Sequence, residues 1–281
     1  MTSPPLNSTA TEPSPRQSNA PVWYRPTVSP EHGVYIMLLV SFLIGAAAAF
    51  HWTWATTLAL MTAFCGFQAE HPLVVQIKQR RSLKPRLLVW GGLYSVVAIA
   101  LALYLYWLQG NLQTPLLWIY LGAIAAFGID AVSVFYREQK SVLNELITFF
   151  AVCLSTPLAY VVTTGTLATP VLGLWLLNGL FFSSAIFTVK FRKNKQHPLT
   201  PSLLYHAIAS VVVAGLWAIG WLSPLTALAF SVALLKLGII LWQKEWYCTT
   251  KIQFVAMLET GTALLFLAIA ALSLLPAHLP G

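Results

Sequence analysis

Charge is what this sequence has least of. Only 9% of its 281 residues are Asp, Glu, Lys or Arg, roughly a third of the share a soluble domain carries. Eight acids stand against 16 Lys and Arg, a net charge of +8. So few charges cannot cover a soluble surface, and a chain that is 58% hydrophobic does not stay disordered. Both a soluble globular enzyme and a disordered chain are therefore excluded. Cysteine is scarce as well. Cys65, Cys153 and Cys248 form no CxxC pair and read as small apolar packing residues rather than metal or redox groups. The sequence contains no GxxxxGK[ST], HExxH or GxSxG motif and no paired metal-ligand pattern, so the usual nucleotide and hydrolase signatures are missing. No metal site is expected, and nothing points to a particular cofactor.

What is present is a series of long apolar runs. A helix needs about 20 mostly apolar residues to cross the hydrocarbon core. Such runs cover 33–50, 52–69, 87–108, 115–134, 142–164, 170–191, 201–222, 224–241 and 252–275. The predicted fold class is therefore all-α: a polytopic membrane bundle of nine transmembrane helices. Pro115, Pro170, Pro201 and Pro224 open four of the runs, where the missing N–H costs little. Fifteen of the 16 basic residues fall in alternate loops, at the inner end of a run (Lys190) or in the N-terminal tail, and the remaining one, Lys236, sits well inside a run. The positive-inside rule makes the basic side cytoplasmic, with the N-terminus inside and the C-terminus extracytoplasmic. Cations placed this way address a membrane rather than nucleic acid. Trp52, Trp54, Trp107, Trp118 and Trp221 then lie near the outer interface, and Trp90, Tyr136, Trp242, Trp246 and Tyr247 near the inner one, as an anchoring belt requires.

Residues 1–21 contain 12 Ser, Thr or Pro and are expected to be a disordered cytoplasmic tail. They lack the apolar core of a signal peptide, so the first span is expected to direct insertion. The bundle occupies 22–276, and 277–281 form a short C-terminal tail. The expected setting is a bacterial plasma membrane or another internal membrane.

Polar residues inside such a bundle are expensive and mark a function or a structural pair. Seven of the eight acids fall on the basic side of the frame, and the eighth, Glu12, lies in the tail. Asp130 precedes Arg137 by seven residues, near two helical turns, so both can share one face. Arg137, Ser141 and Asn144 recur at helical spacing, as do Glu138 and Glu145. A cytoplasm-facing polar cavity is accordingly predicted from Glu31, His32, Asp130, Arg137, Asn144 and Glu145. The competing reading is equally weighted: Ser141 caps the fifth helix, and Arg137 and Lys140 serve as topology signals. Lys236 lies eight residues before Lys244, and Glu259 eight after Lys251, so their depths match across a tight hairpin. They are predicted to pair inside the membrane, where each lowers the other's cost. Snorkelling of the Lys236 stem toward the headgroups is the alternative. Two basic loops form a further candidate, a phosphate or headgroup clamp of Lys78, Arg80, Arg81, Lys190, Arg192 and Lys193. Attraction to anionic lipid explains the same residues more simply.

The lead-in to the first span reads Ser29-Pro30-Glu31-His32-Gly33-Val34-Tyr35. This Pro-x-His-Gly opening resembles the YwiC-like family of bacterial membrane proteins. Arg137 to Glu145, the basic stretch after the sixth span, and Glu259 also look like that family's pattern. The resemblance spans residues 22–276 and implies a membrane bundle without implying an activity. A second resemblance is architectural. Nine helices with the two most basic loops after spans two and six are similar to the UbiA-type prenyltransferases, and Arg25-Pro26 and His32 are similar to an Arg-Pro-His run in some of them. Those enzymes carry Asp-rich motifs for Mg²⁺ and diphosphate in the same two loops. Here the first of these loops offers only Glu70 and the second no acid, too few oxygens for a hard cation. The expected partners are the bilayer and an isoprenoid or phospholipid ligand, bound or modified from the cytoplasmic leaflet. The alternatives are transport of a small neutral or weakly polar solute and a role in assembling a membrane complex.

Overall fold

A computed structural model describes residues 24–80, 82–110, 113–193 and 198–275. The tail 1–21, the terminus 277–281 and Arg81 lie outside the described residues, as does the side chain of Lys193. The chain is all-α. Its helices are α1 (His32–Ala48), α2 (Trp54–Lys78), α3 (Pro85–Leu108), α4 (Gln113–Phe135), α5 (Val142–Val152), α6 (Ser155–Thr164), α7 (Thr169–Lys193), α8 (Thr200–Ala218), α9 (Pro224–Leu228), α10 (Ser231–Trp242), α11 (Lys244–Thr249) and α12 (Ile252–Ser273). Among the described residues there is no strand.

Eight stretches are long and apolar enough to cross a membrane: Trp54–Lys78, Pro85–Leu108, Pro115–Phe135, Val142–Thr164, Thr169–Arg192, Thr200–Ala218, Pro224–Trp242 and Ile252–Ser273. The apolar helix α1 has 17 residues, the short end of the spanning range. The aromatic residues Trp54, Trp107, Trp118 and Trp242 are exposed at helix ends. Tyr247 differs from the anchoring role expected of it: it is fully buried on α11.

Two of the expected spans are interrupted. Between α5 and α6 the chain turns at Cys153 and Leu154, just ahead of Pro157, which can donate no hydrogen bond back to the carbonyl four residues earlier. A tighter bond from the Thr156 amide takes up the Cys153 carbonyl at 2.9 Å. Between α9 and α10 the chain tightens at Ala229 and Phe230 through successive bonds spanning three residues. Conversely, α2 runs through Pro72 to Lys78, so Glu70 and His71 stand on a helix and not in a loop.

Helices α1 and α7 hold the bundle together. α1 packs on α2, α5, α6, α7 and α12, and α7 packs on α5, α6, α8, α10 and α11. One core lies on the N-terminal side, where Phe42, Ala59, Leu105, Leu116, Leu158 and Val161 meet. A second, larger one lies on the C-terminal side, among Ile44, Leu177, Phe181, Ala233 and Phe266. The α1–α6 contact is very close. A Cβ on Gly45 would overlap the carbonyl of Thr156. Thr156 Oγ1 donates to Ser41 O at 2.9 Å, and Ser155 Oγ donates to Leu38 O at 3.3 Å. Small and hydroxyl residues are what allow membrane helices to approach so closely. By contrast α3 packs tightly on α2 but sparsely on α4, which leaves the N-terminal half open along that seam.

Candidate functional site

The site lies in the N-terminal half, where the carboxylates of α2, α4 and α5 converge with the lead-in to α1. Its scaffold begins at Gln68 on α2, which is almost fully buried. Gln68 Nε2 donates to the Tyr35 hydroxyl at 2.6 Å, and Gln68 Oε1 accepts from the Ser29 amide at 3.2 Å. Tyr35 Oη in turn donates to Ser29 O at 3.1 Å. This closed triangle straps residues 29–31 across the helix bearing Glu70 and so sets the position of Glu31. Arg86 reinforces the strap by donating to the carbonyls of Arg25 and Pro26 at 2.8 and 3.0 Å.

On the opposite wall α4 ends in a left-handed turn. The Glu138 amide bonds to Ser133 O at 2.8 Å and the Arg137 amide to Val134 O at 3.1 Å, with Arg137 at φ 64°. This is the Schellman arrangement, with a non-glycine residue in the left-handed position. Ser141 then caps α5 by accepting from the Asn144 amide at 3.3 Å, the simpler of the two roles weighed for it. The cap orients Asn144, whose Nδ2 donates to Asp130 Oδ1 at 2.7 Å and to Gln139 O at 3.2 Å. Asp130 and Asn144 are only 5% and 4% exposed, yet Asp130 Oδ2 and Asn144 Oδ1 have no hydrogen-bond partner among the described residues. Buried polar atoms are rarely left this way without a reason.

These residues enclose a polar chamber of about 360 Å³, lined by Glu31, Glu70, Asp130, Glu145, Lys140, Lys190, Gln139, Asn144 and Thr148 together with apolar residues of α5 and α7. Lys190 Nζ sits 2.8 Å from Glu145 Oε2 and donates to Lys140 O at 3.0 Å. Next to it is an apolar chamber of about 430 Å³ between α2, α3, α4 and the broken α5–α6 pair. Glu70, Asp130 and Thr148 line both chambers. The apolar chamber borders the loosely packed α3–α4 seam through Ala98, Ile99, Ile124 and Phe127. No group of three or more His, Cys, Asp or Glu has metal-holding geometry among the described residues.

Of the six residues predicted to build a polar cavity, the structure brings together Glu31, Asp130, Asn144 and Glu145. His32 is exposed and lies outside the chamber lining. Arg137 does not share a face with Asp130, because the helix ends at Phe135 and the left-handed turn carries the chain away. Sequence reasoning missed Glu70 as a wall residue. Glu70 follows the run 52–69 directly and reads as part of the loop after it, whereas the helix continues through Pro72 to Lys78. It also missed Gln139, Lys140 and Thr148.

The basic residues proposed as a clamp are engaged separately. Arg80 stacks 3.8 Å over the Phe135 ring, and Lys190 is bound as described. Arg192 donates to Tyr247 O at 3.1 Å and Thr250 O at 2.6 Å, capping α11. Lys78 is exposed at the end of α2.

A separate polar cluster lies in the C-terminal half. Lys236, 1% exposed, meets Glu259 at 2.8 Å between α10 and α12, and its ammonium lies 5.5 Å from the Phe181 ring centre. The hairpin of α10, α11 and α12 makes the two depths equal.

Eight long apolar stretches with few charged residues inside them define a multi-pass helical membrane protein. Residues 28–160 match the family model described as YwiC-like protein, so the stretch from α1 through α5 and into α6 is similar to that family. That region holds the Ser29–Tyr35–Gln68 triangle, the apolar chamber's walls and most of the polar chamber's. No curated protein matches the chain.

Proposed function

We propose that this YwiC-like bundle binds a polyprenyl- or phospholipid-type amphiphile drawn from the cytoplasmic leaflet. The observation that carries the reading is the shared wall: Glu70, Asp130 and Thr148 border both a polar and an apolar chamber. A molecule with one polar end and one hydrocarbon end fills both at once, and neither half alone does so. The loosely packed α3–α4 seam offers the tail a lateral path from the bilayer. The positive-inside rule puts the polar chamber toward the cytoplasm, since Lys78, Lys140 and Lys190 stand at its end of the bundle. A pocket largely lined by apolar side chains with a few convergent polar groups is the common form of a ligand site.

Mass spectrometry of the intact purified protein tests this. The wild type is expected to carry a bound lipid-like molecule, and Ala98→Trp and Ala126→Trp, which fill the apolar chamber, are expected to lose it while staying folded. A wild type with no bound amphiphile, or filled variants that retain it fully, sinks the reading.

A further inference from the structure

The polar chamber has an imbalance that the amphiphile reading leaves open. Four carboxylates, Glu31, Glu70, Asp130 and Glu145, face two ammonium groups, Lys140 and Lys190. Lys190 is committed to Glu145 and to the Lys140 carbonyl. The two buried atoms of this chamber that have no partner among the described residues, Asp130 Oδ2 and Asn144 Oδ1, are acceptors as well. Both contacts of Asn144 Nδ2 are to acceptors, so its Oδ1 is the oxygen left over, and it flanks the same hydrogen bond as Asp130 Oδ2. A chamber with surplus negative charge and unmet acceptors calls for a cation that donates hydrogen bonds. A phosphate would bring more acceptors and more negative charge, and would leave Asp130 Oδ2 and Asn144 Oδ1 still unmet. A bare metal ion is a poor match, because no three of the carboxylates among the described residues gather around one point. Lys190 already shows how the chamber holds a primary ammonium, between one carboxylate and one carbonyl.

Building on the amphiphile reading, we infer that the polar chamber recognises a protonated amine bearing N–H donors, as the head of an amine-carrying amphiphile, with Asp130, Asn144 and Glu70 receiving it. Glu70 and Asp130 stand on the wall between the chambers, so the ammonium is held beside the apolar chamber that takes the tail.

The test uses the full chain in lipid nanodiscs, with titrations into empty nanodiscs subtracted. The probes are dodecylamine, dodecyltrimethylammonium, dodecyl phosphate, dodecanol and tail-free ethanolamine. Dodecylamine is expected to bind at least about tenfold more tightly than the trimethylammonium and phosphate probes, the scale of one lost charge-assisted hydrogen bond. Asp130→Asn and, independently, Glu70→Gln are expected to weaken dodecylamine by a similar factor while leaving dodecanol unchanged. Equal binding of all dodecyl probes, or a preference for the phosphate, overturns the amine assignment and leaves the amphiphile reading standing. Ethanolamine binding as tightly as dodecylamine does the reverse: the amine chemistry holds and the tail plays no part. If no probe binds above empty nanodiscs, both fail. If both variants fold and bind dodecylamine like the wild type, the amine assignment is overturned.

Discussion

Lys236 shows what one charged side chain demands of its surroundings. Its ammonium is fully buried, so its stability depends on Glu259 2.8 Å away and, more weakly, on the Phe181 ring face. Removing one member of a fully buried pair costs about 3–5 kcal/mol, because the other charge is left without compensation. Glu259 is a quarter exposed, so the loss is expected to be larger for Glu259→Leu, which strands the lysine, than for Lys236→Met. The double variant is expected to recover much of the folded protein that either single change loses, measured by fluorescence-detected size exclusion. A double variant no better than the worse single one would show that the two do not stabilise each other. The same scale explains Arg137. Its sequence spacing pointed at Asp130, but one residue in the left-handed region turned it out of the chamber.

At the scale of the element, packing distance decides more than hydropathy. α1 can lie against α6 because Gly45 has no side chain, and Ser41, Ser155 and Thr156 turn that closeness into hydrogen bonds. Gly45→Leu is expected to force the helices apart at a cost above the usual overpacking range of about 1–3 kcal/mol, since the obstacle is backbone and cannot rotate away. Thermal unfolding in detergent is expected to show a fall of several degrees or loss of folded protein. A Tm equal to the wild type would show that α1 and α6 are not in contact there. Gly33→Ala, where no atom would meet the new Cβ, serves as the control. The break between α5 and α6 belongs to this scale too. It was not seen as a break in an unbroken apolar run, yet Pro157 carries the physical cause.

For the whole molecule the expected topology can be measured directly. In a background without the three native cysteines, Ser82→Cys is expected to react with an impermeant maleimide only after permeabilisation, and Thr166→Cys in intact cells. Labelling of position 82 in intact cells would invert the frame and place the polar chamber on the outer face. A third variant, Tyr24→Cys ahead of the 17-residue α1, is expected to react only after permeabilisation if α1 crosses the bilayer.

Membrane insertion, helical class and approximate span positions were written in the composition and hydropathy of the sequence. The physical reason is that a bilayer leaves backbone groups few ways to be satisfied, and charge is tolerated chiefly at helix ends. The depth match of Lys236 and Glu259 was legible for a related reason: rise per residue is constant along a helix, so counting from a shared hairpin gives relative depth. The chamber was only half legible. Asp130, Asn144 and Glu145 lie within 15 residues of each other, and local spacing was enough to group them. Glu70 and Lys190 come from distant helices, and only tertiary packing could bring them to the same chamber. Whether His32 and Arg137 joined them was likewise a matter of rotation and turn geometry. Those are set by neighbouring helices and by a single backbone dihedral angle, which residue spacing along one chain does not contain.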